Sequence, residues 1–85
     1  MAYQILIDPA AVRELKKFAL RVRRSVAEAI NALAENPRPL GSRKLAGSTN
    51  GYRIRVGDYR ISYHIADKVL HVLIVKVGNR KGVYR

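Results

Sequence analysis

The chain has 85 residues, no cysteine, and 17 Lys and Arg against 6 Asp and Glu, a formal net charge of +11. That length supports a single domain, residues 1–85, whose one small core buries roughly 60% of the unfolded surface, and the lack of cysteine excludes a disulfide framework or a thiolate metal site. No apolar run approaches the ~18 residues of a membrane span, and residues 1–7 lack the basic start and long apolar stretch of a secretory leader, so a soluble, cytoplasmic protein with no membrane partner is expected.

Taken in chain order, residues 3–7 are apolar enough for a short strand. Asp8-Pro9 then opens a helix, because Asp caps free amides and Pro suits the first helical position. Ala11, Leu15 and Phe18 follow at helical spacing, and a break is expected near residues 20–23. Val22, Val26, Ile30 and Leu33 form a second apolar stripe that should end at Asn36-Pro37. Residues 38–50, rich in Pro, Gly, Ser and Asn, read as a loop. Three strands follow at residues 51–56, 59–66 and 69–77, joined by the turns Gly57-Asp58 and Asp67-Lys68. The expected fold is α+β: an N-terminal strand and a two-helix hairpin packed on one face of a mainly antiparallel, about four-stranded sheet.

Charge is uneven along this plan. Residues 1–37 carry a net +2 and residues 38–85 a net +9. With a two-residue turn at Gly57-Asp58, Arg55 stands opposite Arg60 and Arg53 opposite Ser62, since side chains alternate with a period of two. Tyr52, Ile54, Val56, Tyr59, Ile61, Tyr63 and Ile65 then share one face, and Arg53, Arg55, Arg60, Ser62 and His64 the other. Like charges directly opposite destabilise a sheet, so three arginines without a carboxylate imply an anion from outside, and nucleic acid is the expected polyanion. On the same face His64 should meet His71, and Ala66, Leu73, Val75 and Val77 should form an apolar strip that nothing in the chain covers. A second protein chain is expected there.

The chemistry open to such a face is narrow. All three glutamates lie in the helical half, and Asp58 and Asp67 lie in turns, so the carboxylate cluster of a two-metal nuclease is missing. Two histidines without a nearby acid make a poor metal site. RNA, however, carries its own nucleophile, the 2′-OH, and needs only in-line positioning, proton transfer and cations on the phosphoryl oxygens. Arg60 and Arg80 suit the last role, because a guanidinium is permanently charged and holds two oxygens at once. Tyr84 could stack on a base or exchange a proton with the 2′-OH, and equally suits plain packing on the sheet. Arg53 and Arg55 suit phosphate positioning.

The run Lys44-Leu45-Ala46-Gly47, the hairpin Gly51 to Tyr63 and the tail Val77-Gly78-Asn79-Arg80-Lys81-Gly82-Val83-Tyr84-Arg85 resemble the RelE-type toxins of the RelE/ParE superfamily, from type II toxin–antitoxin pairs. The resemblance covers nearly the whole chain. It implies a ribosome-dependent, metal-independent mRNA endonuclease, needing no cofactor, that cuts message in the A site by attack of a 2′-OH on the adjacent phosphate. It makes Arg60, Arg80 and Tyr84 the catalytic residues, with Arg53, Arg55, Lys81 and Lys44 binding substrate. Arg53 and Arg55 stand where the best-known members carry lysines; arginine stays protonated, so their role here should be electrostatic. No counterpart of the C-terminal helix of some members is expected. The implied partners are the ribosome, mRNA and an acidic RelB-like antitoxin covering the basic face and the Leu73, Val75, Val77 strip. The alternative is a ParE-type toxin, which shares the scaffold but is a non-enzymatic inhibitor of DNA gyrase; a third is a nucleic-acid binder that cuts nothing.

Overall fold

The computed structural model describes residues 2–79. β1 (Gln4–Ile7) leads into α1 (Pro9–Lys16) and α2 (Leu20–Ala32), followed by β2 (Arg43–Lys44), β3 (Gly51–Val56), β4 (Tyr59–Ala66) and β5 (His71–Asn79). The sheet has five strands in the order β1-β5-β4-β3-β2, antiparallel except that β1 runs parallel to β5. The α+β expectation holds, with one strand more: β2 arises inside the segment read as loop. Two residues paired with Tyr52 and Arg53 are too short to leave an alternating pattern.

Helix ends follow local chemistry. Asp8 Oδ1 accepts a 2.8 Å bond from the Ala10 amide and Pro9 occupies the first turn. The break falls at residues 17–19, earlier than expected, and Leu20 to Arg23 are already helical. The Arg23 guanidinium donates to the carbonyls of Lys16 and Phe18, both at 3.3 Å, and so satisfies the end of α1. α2 stops at Ala32, four residues before Asn36, and turns close the gap.

Ala11, Val26, Ile30 and Leu33 from the helices meet Ile54, Ile61, Tyr63, Ile65, Val72, Ile74 and Val77 from the sheet to make one core. The apolar face expected for β3 and β4 is therefore the covered one. β5 is central, as its apolar character on both sides requires. Its register differs from the expected one in two ways. A four-residue turn, Asp67 to Leu70, replaces the two-residue turn, with Leu70 at φ 55. His71 consequently faces Ala66 and His64 faces Leu73, so the two histidines do not meet. The turn is held by contacts from afar. The Asp67 carboxylate accepts from Arg38 Nη2 at 2.8 Å and from the Tyr3 hydroxyl at 2.6 Å, and the Leu70 carbonyl accepts from the Gln4 amide at 2.8 Å.

The second difference is a bulge. Tyr63 pairs with Ile74 but Ser62 pairs with Lys76, leaving Val75 as an extra residue. Beyond it the faces of β5 exchange, so Val77 enters the core at 1% exposure and Lys76 emerges on the arginine face. The expected strip loses Val77. It keeps Ala66, Leu73 and half-buried Val75, and is extended by Leu6 of β1, which stands beside Leu73; Leu6 and Leu73 are each 37% exposed.

Buried Tyr63 donates to the Pro37 carbonyl at 2.7 Å, and burial pushes its phenol up to about 12. Its neutral form favours the fold, so stability should fall as pH rises from about 10 towards 12, and Tyr63→Phe should remove that sensitivity while costing about 1 kcal/mol at pH 7 in urea unfolding. Arg38 and Tyr3 hold the Asp67 carboxyl below the usual carboxylate range. The bridge's contribution is therefore fully present above the ordinary carboxylate range and lost as pH falls from there through the lowered value, and Asp67→Asn should flatten this part of the acid limb of the stability curve.

Candidate functional site

With one face of the sheet covered by helices, the other collects the charge. Two rows run across it. Arg43 of β2, Arg53 of β3, Ser62 of β4 and Lys76 of β5 are successive partners, and beside them Arg55, Arg60 and Gly78 form a second row. The expected opposition of Arg55 and Arg60 is thus present, fixed by the Gly57-Asp58 turn, where Gly57 adopts φ 60. β3, β4 and β5 contain no Asp or Glu.

Between the rows lies a cleft of about 150 Å³ lined by Leu45, Arg53, Arg60, Ser62, Lys76 and Gly78. Arg53 and Arg60 are half-buried in it, whereas Arg55 is exposed. Cations partly withdrawn from water attract an anion more strongly than free surface charges, because less solvent screens them. The space opposite Arg60 is open: a Cβ placed at Gly78 would meet no described atom within 4 Å. A larger hollow of about 250 Å³ between α2 and the hairpin turn is mainly apolar, with Arg21 its one cation, and gathers no comparable charge.

Of the residues singled out from sequence, Arg53 and Arg60 come together in the cleft and Arg55 flanks it. Lys44 does not join them. It pairs with Tyr52, whose face is the covered one, and its neighbour Arg43 takes the place beside Arg53. Arg80, Lys81 and Tyr84 lie outside the described residues. Lys76 and Arg43 were missed. The signal for Lys76 was present, since a lysine two residues after buried Ile74 breaks the core alternation and so marks the bulge. His64 Nδ1 lies 3.2 Å from Asn50 Oδ1, a local contact that leaves it apart from His71. Arg38, one of the cations in the basic half, is committed to the fold through Asp67 and lies over the Tyr52 ring at 5.2 Å from its centroid.

A two-helix layer on a five-stranded sheet with a basic open face has counterparts among known proteins. The family model for the ParE toxin of type II toxin–antitoxin systems matches residues 5–84. The chain is 34% identical over 89 residues to Toxin RelG of Mycobacterium tuberculosis, covering 100% of this chain and 99% of that one. It is 30% identical over 83 residues to the mRNA interferase toxin RelE of Escherichia coli K12, covering 95% and 86%. A chain in the crystal structure of the archaeal RelE–RelB complex from Pyrococcus horikoshii OT3 superposes with a TM-score of 0.84 at 29% identity, covering 94% of this chain and 97% of that one. The chain belongs to the RelE/ParE family of type II toxins and is of the RelE type.

Because Arg55 and Arg60 repel, Arg55→Thr should stabilise the isolated protein by about 0.5 kcal/mol, raising its unfolding temperature by roughly 2–4 °C at low salt, with the gain shrinking in 1 M salt. Thermal unfolding monitored by circular dichroism reads this directly. A lower unfolding temperature at low salt would mean that the arginine pair supports the fold.

Proposed function

We propose that this toxin is a ribosome-dependent endonuclease that cuts mRNA in the A site without a metal ion. The observation that carries the reading is the convergence of Arg53, Arg60 and Lys76 on one cleft that, among the described residues, no Asp or Glu lines. A phosphodiester lying there would have its non-bridging oxygens held by guanidinium and ammonium groups, whose charge opposes the negative charge that builds as the 2′-oxygen attacks phosphorus. The P–O5′ bond breaks, the 2′-OH proton is removed, and a proton reaches the leaving 5′-oxygen. The products are a 2′,3′-cyclic phosphate and a 5′-hydroxyl. Arg60 and Arg80 act as the phosphate-stabilising pair, Tyr84 serves the nucleophile, and Arg53, Arg55 and Lys81 hold the message; Lys44, paired with Tyr52 away from the cleft, is not given this role. Arg53 and Arg55 act by charge alone, because arginine is not deprotonated near neutral pH. Two curated relatives bear the name mRNA interferase, which supports the same chemistry here.

The partner that restrains this activity is an acidic RelB-like antitoxin. Relatives have been solved as complexes with RelB, and the open face offers both cations and the apolar group Leu6, Leu73 and Val75 for such a chain to cover. The match to a ParE family model favours one second reading, a non-enzymatic gyrase inhibitor.

Mapping 5′ ends on a reporter message in a reconstituted translation system separates the two. The expected result is 5′-hydroxyl ends within A-site codons, on translated message only. Arg80→Ala and Tyr84→Ala should each lower single-turnover cleavage by ~10² or more, whereas Arg53→Ala should mainly weaken binding. Intact message together with loss of DNA supercoiling by gyrase would establish the second reading instead.

A further inference from the structure

The cation rows of the open face have an apolar neighbour. Two residues along the strands from Arg43, Arg53 and Ser62 stand Leu45, Gly51 and His64, and on β5, past the bulge, Leu73 is the partner of His64. Because side chains alternate with a period of two, this third row keeps to the open face, roughly 7 Å from the row of Arg53. Leu45 links it to the cleft, which it lines beside Arg53 and Arg60. A phosphate held by guanidinium groups has no use for a leucine or an imidazole at its side.

Both side chains are held in place by the loop between β2 and β3. The Leu45 amide donates to the Gly51 carbonyl at 2.8 Å, which carries the β2–β3 ladder one residue further. Ser48 Oγ accepts from the Gly51 amide at 2.8 Å, and the Ser48 amide donates to the Leu45 carbonyl at 3.2 Å. A Cβ at Gly51 would stand 2.7 Å from Ser48 Oγ and 3.2 Å from Leu45 Cδ1, so the loop closes over a position that has no room for a side chain. Leu45 thus lies over Gly51, and the next residue across the sheet is His64. Asn50 holds that ring. Its Oδ1 lies 3.2 Å from His64 Nδ1, where only the imidazole can donate, and its backbone carbonyl accepts from the Ile65 amide at 3.0 Å. Aliphatic carbon and an oriented, half-buried aromatic ring therefore border the cations. A single strand of RNA has the same division, with charge along its backbone and flat ring faces beside it. Cations alone hold any polyanion, whereas a ring next to them favours one that carries bases.

We propose that Leu45 and His64 form a nucleobase platform: the base next to the phosphate in the cleft stacks on the His64 ring and packs against Leu45, which sets the angle at which the phosphodiester enters among the arginines. This deepens the endonuclease reading and rests on it for the RNA being message. The test is an NMR titration of the full chain with a 2′-O-methyl RNA trinucleotide and with an abasic ribose-phosphate oligomer of the same charge. Wild type, His64→Phe and His64→Ala are compared, each checked for folding by circular dichroism. The His64 ring protons and Leu45 methyls of the wild type should shift with the base-bearing oligomer only. His64→Phe should bind that oligomer within about twofold of wild type, because a phenyl ring also stacks, and His64→Ala at least about fivefold more weakly, with affinity for the abasic oligomer unchanged. Leu45→Ala, at a half-buried loop position, should give a base-dependent loss of the same kind and serves if His64→Ala does not fold. Absence of binding, equal shifts with the two oligomers, or a loss that is the same for both or confined to antitoxin affinity would overturn the proposal. Base-dependent binding by a toxin that leaves translated message intact would uphold it while the endonuclease reading failed.

Discussion

A period of two along β3 and β4 ties the core of this protein to its cleft. Ile54, Ile61, Tyr63 and Ile65 must face the helices to give an 85-residue chain any core at all, and that requirement sends Arg53, Arg55 and Arg60 to the opposite side. The short Gly57-Asp58 turn then fixes which residues stand opposite each other. No one-residue slip is open to the hairpin, because it would bury the arginines and expose the core. The opposition of Arg55 and Arg60 on the open face is thus fixed by hydrophobic burial elsewhere.

The bulge at Val75 completes the arrangement. Without it, regular alternation from Val72 and Ile74 would place Lys76 in the core and Val77 in the open. One extra residue reverses both, sealing the core with Val77 and adding a third cation beside Arg53 and Arg60. A single backbone irregularity therefore serves packing and charge together. The same region of β5 lacks β1 as a neighbour.

The sequence made the hairpin legible because turn chemistry and alternation agree there: β3 and β4 occupy the residues expected, and Arg55 faces Arg60. Elsewhere local signals were overridden from a distance. Asp67-Lys68 looked like a two-residue turn, but Arg38, Tyr3 and Gln4 bind the Asp67 to Leu70 segment and shift the register of β5 by two residues. That shift preserves the faces, which is why Leu73 stayed on the open side although His64 and His71 parted. β2 was hidden because two residues carry no period, and with it went Arg43, the cation beside Arg53, while Lys44 was read in its place. The roles of Arg80, Lys81 and Tyr84 rest on sequence resemblance, since they lie outside the described residues.

On the proposed function, the open face holds a phosphate of the message. The most direct test is a cryo-electron microscopy structure of the toxin on a programmed ribosome whose A-site codon carries 2′-O-methyl groups, which block attack. The expected result is a backbone phosphate seated among Arg53, Arg60 and Lys76. A message that passes over another surface, leaving that cleft to solvent, would contradict it.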